Sequence, residues 1–189
     1  MGLGYWGMPV MITDKATDPY NTDLSTSQTI EQMIAIARSS ASSPKIRNVV
    51  NTCLESLPDK PTNKDLARKL FYWCKNNVKF VEDEQVIGQE LGYQDVYKEL
   101  LITPDVLLNM PTPMGDCDDY SMLLASLLVC AQIPCRYTAI AADKGQPNKF
   151  SHVYVSALID GRWVGMDVPY GSTIGWEKEG FRRMDWRIN

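Results

Sequence analysis

Apolar residues recur at helical spacing through the first half of the chain. Such spacing collects apolar side chains on one face of a helix. The first set is Ile30, Met33, Ile34 and Ala37. Two more segments, 44–57 and a stretch that begins at Asn63, repeat the pattern. The N-terminal half is therefore predicted to be helical.

Residues 82–114 show no steady period. Glycine and proline interrupt the segment at Gly88, Gly92, Pro104, Pro111 and Pro113. Only a helical turn or two is predicted there, over Thr103–Met110. Irregular segments of this length inside a compact domain are usually functional, so this segment is expected to be functional.

The second half of the chain has clearer patterns. Residues 116–131 are apolar on nearly all sides, which predicts a buried central helix. The segments 135–141, 150–159 and 162–168 are predicted to be strands. Strands do not alternate with helices as they do around a parallel sheet. The predicted fold class is therefore α+β, with the central helix packed on an antiparallel sheet.

The dipeptide Asp-Gly at 160–161 is a strong hairpin signal. A two-residue turn at this point makes Ile159 face Arg162. His152, the one histidine of the chain, then lies diagonally across from Asp167 on the same sheet face. Diagonal neighbours have Cα atoms about 7–8 Å apart, which lets an imidazole meet a carboxylate. Periodicity leaves open which face of the hairpin meets the central helix.

Composition limits the classes of function. The chain has 189 residues, of which 44% are hydrophobic, enough for one domain with a sizeable core. Its 19 Lys and Arg against 23 Asp and Glu give a net charge of −4, so no nucleic-acid partner is expected. The most apolar stretch, 122–131, is far shorter than the ~18 residues of a membrane span. The N-terminus lacks the basic region of a signal peptide, so a soluble protein is expected.

Cysteines occur at positions 53, 74, 117, 130 and 135. Their odd number, the absence of CxxC spacing and the single histidine argue against a disulfide scaffold and a zinc site. Four of them are expected to be small buried hydrophobic residues. Cys117 differs because it falls in the first turn of the central helix. Backbone N–H groups and the helix dipole favour a thiolate and an oxyanion at that position.

Aspartates surround Cys117 and act against a thiolate. Asp116, Asp118 and Asp119 are expected to raise the pKa of the thiol, and a capped helix with an inert cysteine is one interpretation of the segment. A metal site made by these carboxylates with His152 is another. Three carboxylates so close together on a helix point in different directions around its axis. No metal and no cofactor are therefore predicted.

The same residues suit one mechanism. Cys117 would be the nucleophile, His152 the base that takes its proton, and Asp167 the group that orients the imidazole. A lone histidine in a strand is more often structural than catalytic. The hypothesis therefore depends on the joint occurrence of all three residues.

The segments that carry these residues resemble the transglutaminase-like superfamily. The similar segments are Gly115-Asp-Cys-Asp-Asp-Tyr-Ser-Met-Leu-Leu-Ala125, Ile133-Pro-Cys-Arg136, Ser151-His-Val-Tyr-Val155 and Gly161-Arg-Trp-Val-Gly-Met-Asp167. The resemblance covers about residues 65–170 and is strong. It implies a papain-like α+β fold and thiol acyl transfer, with Cys117, His152 and Asp167 as the catalytic residues.

Three segments, one of them within Gly115–Ala125, are most similar to small transglutaminase-like proteins of bacteriophages and prophages. They are the Gly-Asp-Cys-Asp-Asp run, Val78-Lys-Phe-Val-Glu-Asp-Glu84 and Ile174-Gly-Trp-Glu177. This similarity implies a location in the host cytoplasm or in the virion. The expected organisation is an N-terminal arm (1–25), a catalytic domain (26–170) and a C-terminal tail (171–189). The arm and the tail are expected to pack on the domain or to bind other phage structural proteins.

The predicted function is hydrolysis of peptide or glutaminyl amide bonds in a protein or peptide substrate. The alternative is a virion component that keeps the fold with little or no turnover. In the superfamily a second oxyanion donor comes from a residue upstream of the nucleophile. The resemblance makes Tyr72, Trp73 and Gln85 the candidates, and Trp73 also suits the core.

Overall fold

The structure, a computed structural model, describes residues 11–14, 22–81 and 98–189, and the side chains of 23–81 and 101–189. The described residues leave out most of the predicted N-terminal arm. They also leave out residues 82–97 of the irregular segment, which include Gln85. Across the described part of the chain, no helix has the length and apolar character to cross a bilayer.

Helices precede the main sheet, as the sequence pattern predicts. The elements, numbered in chain order, are β1 (Met11–Asp14), α1 (Thr22–Ser40), α2 (Pro44–Glu55), α3 (Asn63–Asn77), β2 (Lys79–Phe80), β3 (Lys98–Leu101), α4 (Pro104–Leu107), β4 (Met114–Gly115), α5 (Cys117–Cys130), β5 (Cys135–Ile140), β6 (His152–Ile159), β7 (Arg162–Met166) and β8 (Arg183–Arg187). The first helix begins earlier than its apolar period indicates. The predicted turn near Pro104 is present as α4.

Local signals explain where the second and third helices begin. Ser43 caps α2 by accepting a hydrogen bond from the backbone N–H of Lys45, and Pro44 occupies the first turn. Thr62 and Asp65 form a capping box at the start of α3. These caps satisfy backbone donors that have no partner inside the helix.

The central helix α5 lies in the core. It packs against α1, α2 and α3 on one side and against β6 on the other. Its inner residues are fully buried: Met122, Leu123, Leu124, Ala125, Leu127 and Leu128. Burial of an aliphatic side chain of this size contributes about 1.5–3 kcal/mol. This helix is thus fixed rigidly beneath β6, which positions its N-terminus.

The main sheet is antiparallel, with strand order β7-β6-β5-β8. Asp160 and Gly161 adopt φ values of 51° and 75°, as the two-residue hairpin turn requires. The predicted register is confirmed, because Ile159 pairs with Arg162. The hairpin therefore carries His152 and the segment after Met166 to the same end of the sheet.

The edge strand β8 lies within the segment predicted as a tail. It pairs with β5, with Trp186 opposite Tyr137. Thr138 Oγ1 donates a hydrogen bond to Asp185 Oδ1 at 2.7 Å. Charged residues alternate with Met184 and Trp186 along this strand, which is typical of an edge strand that avoids further pairing.

Candidate active site

Carboxylates fix the start of α5. The fully buried Asp119 accepts hydrogen bonds from the backbone N–H of Ile102 at 2.8 Å and of Asp116 at 3.3 Å. Asp116 in turn accepts from the N–H of Asp118 at 3.0 Å. Gly115 leaves room for this arrangement, because a Cβ there would lie 2.3 Å from Asp119 Oδ2. The network sets Cys117 as the first residue of the helix.

The first turn of α5 packs on an open edge of β6. Pairing of β6 with β7 reaches only Val155. The Leu158 N–H donates to Pro134 O at 2.8 Å, on the side of β6 that faces β5. Backbone groups of successive residues in a strand point to alternate edges, so those of Val153 point to the edge of β6 away from β5. There Ser121 Oγ donates to Val153 O at 3.2 Å, and Val153 N–H donates to Cys117. The Cys117 thiol is thus hydrogen-bonded to the backbone of the residue that follows His152.

His152 and Asp167 form a buried pair at this end of the sheet. Their side chains are joined by a 3.0 Å contact between Nε2 and Oδ2, and the residues are 5% and 0% exposed. Lys178 N–H also donates to Oδ2, at 3.3 Å. Oδ1 of Asp167 is buried without a hydrogen-bond partner in the described part of the chain. These contacts fix the imidazole, with Nε2 engaged by the carboxylate.

Aromatic rings surround the imidazole. The Tyr170 ring meets it edge-on with centroids 5.0 Å apart, and the Tyr154 ring is stacked at 5.9 Å. Lys178 Nζ lies 3.9 Å from the centroid of Tyr170. Segment 170–178, beyond Asp167, therefore contacts both members of the His152–Asp167 pair.

The surroundings of Cys117 raise the pKa of its thiol. Although the residue keeps partial solvent exposure, burial of the thiol raises its pKa well above the ordinary value. The carboxylates of Asp118 and Asp116 raise this pKa further, and the hydrogen bond from Val153 N–H lowers it. Cys117 Sγ also donates to Asp118 Oδ1 at 3.6 Å. A thiolate at this position therefore needs a cationic partner or a base that accepts the proton.

Comparison with known proteins identifies the family. A family model described as the transglutaminase-like superfamily matches residues 48–168. The chain belongs to the transglutaminase-like superfamily. The membership, together with the antiparallel sheet and the helices, confirms the predicted α+β fold class. No curated protein matches the chain.

Several solved structures are similar to this superfamily member. A candidate cysteine protease from Cytophaga hutchinsonii is 18% identical, with a TM-score of 0.48, and the match covers 84% of this chain and 48% of that one. A candidate protease from Parabacteroides distasonis is 14% identical, with a TM-score of 0.46 and coverage of 71% and 25%. Rad4–Rad23 bound to a 6-4 photoproduct lesion is 12% identical, with a TM-score of 0.46 and coverage of 85% and 41%. The chain thus spans less than half the length of these proteins.

The upstream residues considered as oxyanion donors have other contacts. The Tyr72 hydroxyl donates a hydrogen bond to Ser172 O at 3.3 Å, and Trp73 packs against the core. Both belong to α3, and no described contact joins either of them to Cys117. Gln85, the third candidate, lies outside the described residues.

The acidic residues at the start of α5 divide into two groups. Asp119 is directed to the backbone of Ile102 and Asp116. Asp116, Cys117 and Asp118 have ligand atoms that lie within 4.8 Å of one another, a spacing that a metal ion could bridge. Asp118 and Asp116 also raise the pKa of the thiol.

The remaining cysteines differ in exposure. Cys53, Cys74 and Cys135 are buried, as predicted, and burial raises the pKa of Cys135 to about 12. Cys130 is partly exposed instead, because it ends α5, where the helix leaves the core. The expectation of four buried cysteines is therefore wrong for Cys130.

Proposed function

We propose that this protein is a thiol-dependent acyl-transfer enzyme that hydrolyses peptide or glutaminyl amide bonds through Cys117, His152 and Asp167. The observation that carries the proposal is the buried 3.0 Å contact between His152 and Asp167, beside the helix start that bears Cys117. Membership of the superfamily supports thiol chemistry at these positions.

The reaction follows from the roles of the three residues. His152 takes the proton of Cys117 through Nδ1, because Nε2 is engaged by Asp167. The sulfur attacks the carbonyl carbon, the C–N bond breaks, and the amine or ammonia leaves with the proton from the imidazolium. Water then attacks the thioester while His152 removes its proton. The acid is released, and the proton returns to the Cys117 sulfur.

The surroundings of the site support water as the attacking group. Tyr170 beside the imidazole is 47% exposed and Phe80 near the helix start is 37% exposed. Solvent therefore reaches the rings that border the site. The backbone N–H of Cys117 at the helix N-terminus is the first donor for the oxyanion. Protein or peptide amides are the proposed substrates.

The assay separates hydrolysis from cross-linking. Wild type and Cys117→Ala are incubated with casein, with and without a fluorescent primary amine, and products are followed by mass spectrometry. Hydrolysis predicts new termini or deamidated glutamine in the wild type alone. Amine incorporation that depends on Cys117 would instead assign a transamidase.

A second candidate function follows from the thiol pKa. The raised pKa of Cys117 favours a protein that keeps the fold with little turnover, such as a virion component of a phage. The N-terminal arm and C-terminal tail would then bind phage structural proteins in the host cytoplasm or the virion. Full function of Cys117→Ala in such an assembly, with no acyl chemistry by the wild type, would decide for this candidate.

The effect of the neighbouring carboxylates on the thiol is testable by its pH dependence. In His152→Ala, where no imidazole couples to the thiol, alkylation of Cys117 by iodoacetamide should rise with a midpoint above the ordinary thiol pKa. Adding Asp118→Asn should move this midpoint to lower pH, because the thiolate loses a nearby negative charge. Intact-mass kinetics with peptide mapping measure both. Asp160→Asn makes the same charge change in the remote hairpin turn and should leave the midpoint unchanged. An unmoved midpoint in Asp118→Asn would refute the electrostatic explanation.

A further inference from the structure

Two exposed aromatic rings border the proposed active site. Phe80 and Tyr170 are 37% and 47% exposed, and their ring centroids lie 6.0 Å apart. They belong to segments far apart in sequence, before Gly115 and after Asp167. Their contact creates one apolar surface on the outside of the domain.

The two rings are held from behind. The buried Tyr120 ring is stacked against Phe80 at 6.4 Å, and its hydroxyl donates to Val78 O. Tyr170 is supported by the edge-on His152 ring at 5.0 Å and by the Lys178 ammonium at 3.9 Å. A surface ordered in this way loses little conformational entropy when a ligand covers it.

The surface lies where a substrate chain must pass. Phe80 pairs with Gly115, two positions before Cys117, and neighbouring strands are about 4.8 Å apart. Tyr170 contacts the imidazole itself. An extended peptide advances about 3.4 Å per residue. Residues next to an amide that reaches Cys117 therefore come within reach of these rings.

We propose that Phe80 and Tyr170 form an apolar subsite for an aromatic side chain that flanks the attacked amide of the substrate. The proposal rests on the proposed amide hydrolysis and adds a sequence preference to it. Aromatic rings favour offset and edge-on contacts at the spacing found between Phe80 and its neighbours. A carboxylate side chain would lose hydration against both rings without gaining a partner from them.

Activated disulfide peptides test the subsite without requiring turnover. The probes are acetyl-Ala-Cys-Ala-amide, acetyl-Phe-Cys-Ala-amide and acetyl-Ala-Cys-Phe-amide, each carrying thionitrobenzoate on its cysteine. The Cys117 thiolate attacks the peptide sulfur, a new S–S bond forms, and thionitrobenzoate leaves and is measured by its absorbance. At least one Phe peptide should modify Cys117 about tenfold faster than the Ala peptide. Peptide mapping identifies the modified cysteine, so that only the rate of modification at Cys117 is compared.

Variants assign the preference to the rings. Each rate is divided by the iodoacetamide rate of the same variant, which corrects for thiol reactivity. Phe80→Ala should bring the Phe-to-Ala ratio close to one, and Phe80→Leu, the variant that best preserves folding, should retain about threefold. Leu54→Ala is the matched control, since Leu54 is also 37% exposed but lies on α2, and it should keep the full ratio.

The outcomes separate the subsite from the reaction. Equal rates for all three peptides in the wild type would overturn the subsite, as would a full ratio in Phe80→Leu. A preference for phenylalanine without any hydrolysis of casein would overturn the hydrolase proposal alone. A Cys117 that reacts with none of the electrophiles would overturn both.

Discussion

Replacing Asp167 with asparagine should lower kcat for amide hydrolysis by about 10³–10⁴-fold, the scale of the equivalent change in a Ser-His-Asp triad. In the wild type the buried carboxylate holds Nε2 of His152 at 3.0 Å, which in the proposed mechanism leaves Nδ1 to accept the thiol proton. An asparagine amide can donate to Nε2 and so favour the tautomer that carries the proton on Nδ1. The substitution also removes the negative charge that would stabilise the imidazolium.

The measurement is single-turnover hydrolysis of the best peptide substrate from the casein assay. Asp185→Asn is a control with the same chemical change on the edge strand β8, where Asp185 interacts with Thr138 and Arg136. It should retain activity within about threefold, because it touches neither the imidazole nor the thiol. Activity of Asp167→Asn close to that of the wild type would refute the proposed role of the carboxylate.

The features that could be predicted from sequence are those set by local rules. The Asp-Gly turn determines the register of the hairpin because both residues adopt positive φ. That register alone brings His152 and Asp167 to one end of the sheet. The apolar character of 116–131 likewise identifies α5, since a helix that is apolar on all sides must be buried.

The features that were missed depend on backbone groups and chain ends. The hydrogen bond from the Lys178 N–H to Asp167 could not be predicted from the pattern of side chains, because its donor is a backbone group. The open edge of β6 at Val153, against which α5 packs, could not be predicted from side-chain patterns either. This edge is open because β7 pairs with β6 only as far as Val155. The sequence pattern assigns strand β8 to a tail, since Met184 and Trp186 are its two apolar residues between charged ones. Segment 171–189 therefore supplies both an edge strand and a hydrogen bond to the proposed site.

Gly115→Ala should destabilise the protein by about 2–4 kcal/mol, because a new Cβ collides with the network that holds the start of α5. That Cβ would lie 2.3 Å from Oδ2, 2.6 Å from Cβ and 2.8 Å from Cγ of Asp119. Asp119 is fully buried and accepts from two backbone N–H groups, so it has no free space to move into.

Urea unfolding of Gly115→Ala, Asp119→Ala and the double variant measures this coupling. The double variant should be less destabilised than the sum of the two, because removal of the carboxylate relieves the collision. Gly145→Ala is the matched control, with its nearest contact 3.3 Å away at Asp143 Oδ1, and it should change stability by less than about 0.5 kcal/mol. Additive effects would show that Gly115 acts through something other than Asp119. The coupling expected here means that the packing that stabilises the fold also sets the position of the Cys117 thiol.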